Sequence, residues 1–187
     1  MSKRVFDVLL AVVVMILLSL PMVIVALWIK LMSEGPVIFW SDRVGANNVI
    51  FKMAKFRTMQ VNTPQVATHL MTNPLAYLIP GGAFLRKSSL DELPQLWNVL
   101  KGDMSFVGPR PALFNQDDLV ALRTAKNIHT LVPGITGWAQ VNGRDDLSIP
   151  VKVSFDEHYS QYRSIRLDLY ILFLTALKVV KKEGVSH

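Results

Sequence analysis

Hydropathy divides the chain into two unequal parts. From Val8 to Ile29, a run of 22 positions, no residue is charged; from Lys30 onward charged and apolar residues intermix as in a folded aqueous domain. A helix needs about 20 apolar residues to cross a bilayer core. The first run therefore predicts a membrane-inserted helix over residues 1–32 and leaves 33–187 to build a core. Pro21 interrupts the run: its missing N–H orphans the carbonyl of Leu17 and kinks the helix. Ser19 is close enough to help repair that loss in an apolar medium. Two topologies stay open, a kinked spanning helix and a bent one that returns Met1 and the domain to the same face. Lys3 and Arg4 give a basic start, but the run is too long for a signal peptide and no A-x-A cleavage pattern follows it.

Further along, Val37–Trp40 reads as a short strand, Gly45–Asn48 as a turn and Val49–Met59 as a second strand, which together predict a hairpin. Lys52, Lys55 and Arg57 are spaced along the second run, as either a solvated face or a cationic wall. Gln60–Gly82, rich in Thr, Asn, Pro and Gly, reads as a loop with room for one helical turn. Asn115–Asn127 has a helical pattern, and Pro133–Gly137 and Val141–Arg144 read as tight turns. Arg166–Leu174 opens an apolar helix that closes in Lys178, Lys181 and Lys182. Too short and too basic to span, it is either an interfacial helix or a core helix with a wet edge.

Chemistry concentrates between residues 88 and 111. In Ser88-Ser89-Leu90-Asp91-Glu92-Leu93-Pro94-Gln95-Leu96 two adjacent carboxylates precede a proline suited to the first helical position. A helix over Pro94–Lys101, closed by Gly102, leaves Asp91 and Glu92 in the preceding turn, free to face a ligand. The competing reading makes Ser89-x-x-Glu92 a capping box with Asp91 as a first-turn acid; it would place Pro94 inside the first turns, pressing on the carbonyl of Leu90. Gly108-Pro109-Arg110-Pro111 puts an arginine between two prolines, a stiff support for a guanidinium that could grip phosphate bidentately.

Charge and composition narrow the partners. A net charge of +6 beside an apolar segment points first to anionic lipid head groups or phosphorylated substrates, and no nucleic-acid motif is present. With no cysteine there is no disulfide framework and no thiolate metal site. His69, His129, His158 and His187 lack metal-ligand spacing. Asp117-Asp118 and Asp145-Asp146 do not form the Asp-x-Asp motif of a metal-dependent glycosyltransferase.

The block from Leu85 to Pro111 closely resembles the signature of the bacterial sugar transferases, the monotopic phosphoglycosyl transferases that begin O-antigen, capsule and glycoprotein glycan assembly. Pro133–Arg144 resembles a second block of that family and Lys55–Met59 an earlier one, so the similarity runs nearly end to end. In this chain Ser19-Leu20-Pro21 stands where the family often has Ser and Pro adjacent. The resemblance implies an α+β enzyme: a re-entrant N-terminal membrane helix joined to a small, mostly helical cytoplasmic domain with a short β-hairpin and interfacial helices. It implies transfer of a phosphosugar from a UDP-sugar to undecaprenyl phosphate with release of UMP, on the cytoplasmic face of the bacterial inner membrane. By that similarity Asp91 is the nucleophile and Glu92 its partner, both at a Mg²⁺ ion. Arg86, Arg110, Asp156 and Asp168 are active-site positions, and Lys55, Arg57 and Arg144 in the matched blocks join them in the expected substrate-binding set. A UDP-N-acetyl-6-deoxyhexosamine is the expected donor; nucleic acid is not an expected partner, and oligomerisation is left open. Larger family members carry extra transmembrane helices ahead of this domain, so a minimal enzyme is expected. A scaffold without catalysis, or direct attack by the lipid phosphate, is the alternative.

Overall fold

The computed structural model describes residues 2–63, 73–143 and 147–181; Arg144, Asp145-Asp146, His69, Lys182 and His187 lie outside the described residues. The apolar run forms two helices, α1 (Lys3–Leu17) and α2 (Ser19–Met32), bent by 63° at Leu18. Pro21 cannot donate to Leu17, and Ser19 Oγ donates to the Ile16 carbonyl at 2.8 Å, one position before the orphan. Among the described residues no single helix is long and apolar enough to cross a membrane, whereas the bent pair meets that test jointly. Its outer side is apolar: Leu9, Ile16, Leu17, Leu20, Ile24, Leu27 and Leu31 are all exposed.

The charged start of α1 turns inward, against the domain. Lys3 Nζ lies 2.7 Å from Asp168 Oδ2, and Arg4 donates to the carbonyls of Val99 and Leu100. Asp7, buried, accepts from Ser105 Oγ at 2.8 Å and from the Phe106 amide at 3.3 Å. Ala11 completes the attachment inside the main core, which it shares with Leu96, Val99, Met104 and Val107. The far end of α2 is tied as firmly: Val25 and Ile29 pack with Phe56, Ile79 and Leu85, while Arg57 donates to the Pro36 carbonyl, Ser33 Oγ and the Ser33 carbonyl.

The expected hairpin forms, with β1 (Ile38–Val44) longer and β2 (Ile50–Phe56) shorter than the pattern suggested. The strands pair antiparallel from Ile38 opposite Phe56 to Val44 opposite Ile50, and Asn47 and Asn48 take the left-handed conformation in the turn. Helices α3 (Gly82–Lys87) and α4 (Gln95–Lys101) follow, then β3 (Ser105–Val107) and β4 (Ala112–Leu113), the latter extending the hairpin into a sheet of order β2-β1-β4. Beyond α5 (Asp117–Ala125), Gly134–Thr136 forms strand β5, parallel to β3, where a tight turn was expected. The glycines there serve close approach: a Cβ on Gly134 would stand 2.1 Å from the Gly108 nitrogen, and one on Gly137 2.1 Å from the Gly108 oxygen. The short α6 (Trp138–Val141) leads on to α7 (Ile149–Tyr162), and the expected C-terminal helix is α8 (Ile165–Lys181). Ile171 on α8 reaches the core, whereas Leu169, Tyr170 and Phe173 are exposed.

Candidate active site

Asp91 and Glu92 occupy a single 3-10 turn, Leu90–Glu92, immediately ahead of α4. Ser89 enters that turn in the left-handed conformation (φ 56°) and its side chain caps nothing, so the capping box is not formed. Pro94 stands just before the first turn of α4, and Gly102 (φ 98°) ends the helix in a conformation that suits glycine. One buried side chain sets the register against the hairpin: Asn98 Oδ1 accepts from the Ala54 amide at 2.9 Å, and its Nδ2 donates to the Lys52 carbonyl at 2.8 Å. That fixes α4 on β2 and brings Lys55 over the acids.

Three cations surround the pair. Glu92 Oε1 lies 2.8 Å from Lys55 Nζ and 3.1 Å from Arg110 Nη2. Arg86, on α3, donates from Nε to Thr58 Oγ1 at 3.1 Å, and its charge acts on Asp91. The two carboxyls then part company electrostatically. Burial pushes Asp91 up to about 6; Lys55 pulls against that shift and the charge of Glu92 adds to it. Burial would raise Glu92 as well, but Lys55 and Arg110 override it and hold that carboxyl well below the usual carboxylate range. Two adjacent acids with such different proton affinities are equipped for different roles. Arg110 has 37% of its side chain exposed, against 16% for Lys55 and 18% for Glu92.

Of the residues expected in the site, Lys55, Arg86, Arg110, Asp91 and Glu92 converge. The other described ones are placed behind it in bonds of their own. Arg57 is clamped to Ser33 and Pro36. Asp156 is buried and accepts from Arg123 Nε at 3.0 Å and Nη2 at 2.6 Å. Asp168, also buried, takes Lys3 on one oxygen and the Tyr159 hydroxyl on the other, each at 2.7 Å. Arg123, Asn98, Tyr159 and Asp7 escaped the sequence reading. Arg123 lies in a polar helix, 33 positions from its partner, and nothing local marks it as buried.

A family model described as bacterial sugar transferase matches residues 1–182. The exopolysaccharide production protein ExoY of Sinorhizobium fredii is 40% identical over 98% of this chain and 87% of its own length. The undecaprenyl-phosphate galactose phosphotransferase of Salmonella typhimurium is 38% identical over 97% of this chain, which spans 41% of that protein. The UDP-glucose:undecaprenyl-phosphate glucose-1-phosphate transferase of Escherichia coli is 40% identical over 94% of this chain, which spans 39% of it. The similarity thus takes in the bent helix pair as well as the acids and their cations, and the chain belongs to the bacterial sugar transferase family.

Proposed function

We propose that this chain moves a phosphosugar from a UDP-sugar to undecaprenyl phosphate in two displacements, with Asp91 as the nucleophile. The observation that carries the reading is the adjacent pair of buried Asp91 and half-buried Glu92, split in proton affinity beneath Lys55, Arg86 and Arg110. The names of the Salmonella and Escherichia coli relatives support the reaction class. An Asp91 carboxylate oxygen attacks the sugar-bearing phosphorus, the bond to the bridging oxygen breaks, and UMP leaves with that oxygen and the electron pair. An oxygen of undecaprenyl phosphate then attacks the same phosphorus, restoring the carboxylate and forming the lipid diphosphate. Covalent catalysis of this kind lets UMP depart before the lipid arrives.

A carboxylate approaching a diphosphate meets like charge. At about 4 Å and an effective dielectric of about 20, each such pair costs roughly 4 kcal/mol. Arg110 and Arg86 offset that cost at the phosphates, and Lys55 and Arg110 keep Glu92 ionised beside the nucleophile. Among the described residues no group of three or more His, Cys, Asp or Glu side chains could hold a metal by itself. Two neighbouring carboxylates nevertheless fit Mg²⁺, which is commonly bound by one or two protein carboxylates together with substrate phosphates. Bound by Asp91 and Glu92, it would supply charge neutralisation at the diphosphate.

The bent helix pair reads best as a re-entrant anchor in the bacterial inner membrane. The exposed apolar side chains of α1 and α2 face lipid, and the acids face the cytoplasm, where UDP-sugars are found. The names of two relatives specify galactose and glucose, and no residue of the sequence names the sugar, an N-acetyl-6-deoxyhexosamine being the expectation; a panel of UDP-sugars decides the donor. With Mg²⁺ and a UDP-sugar but no lipid acceptor, the enzyme releases about one UMP per site and stalls, leaving a phosphosugar mass on the Asp91 peptide. UMP release that requires both substrates, with no adduct under any condition, would instead establish direct attack by the lipid phosphate.

A further inference from the structure

The support that carries Arg110 is held by its carbonyls. Pro109 and Pro111 have fixed φ and no N–H, and the three carbonyls from 109 to 111 each accept from a different element. The Gly134 amide donates to Pro109 at 2.9 Å, Arg123 Nη1 to Arg110 at 2.8 Å and Arg43 Nη1 to Pro111 at 3.4 Å. The middle bond is the one backed by a buried charge. Arg123 spends Nε and Nη2 on Asp156 Oδ2, and the two side chains are 9% and 2% exposed.

A buried ion pair is a poor stabiliser, because desolvating two charges costs about as much as their attraction returns. What this pair does provide is a guanidinium of fixed orientation, with its remaining nitrogen aimed at the Arg110 backbone. Behind the support lies a cavity of about 30 Å³, lined by Pro109, Pro111, Arg123, Val120 and His129. That is room for about two waters, so a support released by Arg123 has space to shift.

We infer that Arg123 and Asp156 are positioning residues for Arg110: they hold its backbone so that the guanidinium meets Glu92 and the donor phosphates, and neither touches the substrate. Asp156 thereby takes a different part from the substrate contact that the family resemblance implies. The inference rests on the proposed reaction, in which Arg110 grips the donor.

The test is a double-mutant cycle. Arg123→Lys keeps the charge at Asp156 but loses the fork; Asp156→Asn leaves Arg123 without its anchor. Each is made in the wild type and in Arg110→Ala, and burst-phase UMP release is timed alongside equilibrium binding of the UDP-sugar. In the wild-type background each change slows release about tenfold or more, as displacement of a catalytic group does. In the Arg110→Ala background the further loss stays below about twofold, because the group being positioned is gone. Binding constants show the same pattern where release is too slow to time, and the thermal midpoint falls equally in both backgrounds. Equal losses of release and binding with and without Arg110 overturn the inference. So does failure of both variants to fold, which would make the pair structural. A wild type that releases no UMP from any UDP-sugar counts against the reaction itself, whereas additive losses in an active enzyme overturn only the positioning role.

Discussion

Replacing Asp91 by Asn should abolish turnover and at the same time make the protein more stable. Burial lifts this carboxyl from 3.8 to about 6, so at neutral pH the folded protein carries an ionised group that its surroundings disfavour. A displacement of about two pH units corresponds to about 3 kcal/mol. The sign follows from proton binding. Below the unfolded value the carboxyl is neutral in both states and Asp91 imposes no penalty. Between that value and about 6 the folded state holds the extra proton, and stability falls as pH rises. Above about 6 the whole penalty is present. Asn, neutral and nearly isosteric, escapes it. Urea unfolding in detergent, followed by tryptophan fluorescence, should therefore place Asp91→Asn above the wild type by up to about 3 kcal/mol near pH 7.5. The gain should be about half as large at pH 5 and well under about 1 kcal/mol at pH 4. A variant less stable than the wild type at neutral pH, or a gain that does not shrink on acidification, would show that burial does not raise this carboxyl and leave Asp91 an ordinary well-solvated acid.

The same electrostatics sets the pH dependence of the reaction. Asp91 must be ionised to attack, so burst-phase UMP release should rise with pH through about 6. In Glu92→Gln, which removes a neighbouring negative charge, the remaining acid limb should move to lower pH, and an upward move would contradict the coupling. Arg110→Ala should cut turnover severely with little change in thermal midpoint. Arg110→Lys should restore only part, because an ammonium cannot make the bidentate contact; a collapse of stability matching the lost activity would mark Arg110 as structural. The chain has no cysteine, so Ser2→Cys and Val185→Cys can be labelled singly. Both should react from the cytoplasmic side, and labelling from opposite sides would exclude the re-entrant anchor.

Features with a local cause could be read from the residues alone. The hairpin follows from two alternating runs around Asn47-Asn48, and the placing of the acids in the turn ahead of α4 follows from Pro94, which sets the start of that helix downstream of them. The bend follows from a proline inside an apolar run, although it falls at Leu18, one residue past the Leu17 carbonyl that Pro21 cannot serve. Features decided by distant partners were hidden. Gly134 and Gly137 looked like turn residues because glycine is common in turns, while their real constraint is the Gly108 backbone, more than twenty positions away. Lys3 and Arg4 looked like a flank of the apolar run. Their partners, Asp168 and the carbonyls at the end of α4, are 165 and about 95 residues distant. The polar face of α5 concealed Arg123 for the same reason.

The docking of α1 has a practical consequence for anyone wishing to work with the catalytic part alone. Cutting before residue 33 would take Arg4 from the Leu100 carbonyl, leave the Val99 carbonyl with the Gly102 amide, deprive Asp168 of its ammonium, and leave Ser105 and the Phe106 amide without the carboxylate they share. Several of these groups are buried, and a buried polar group left unpaired costs about 1–3 kcal/mol. Removing Ala11 would also open a gap in the packing around Val99 and Val107. A version with a less apolar surface is better sought by recolouring the outward face of the helix pair, exchanging Leu9, Ile16, Leu20, Ile24 and Leu27 for polar residues while Lys3, Arg4, Asp7 and Ala11 stay in place.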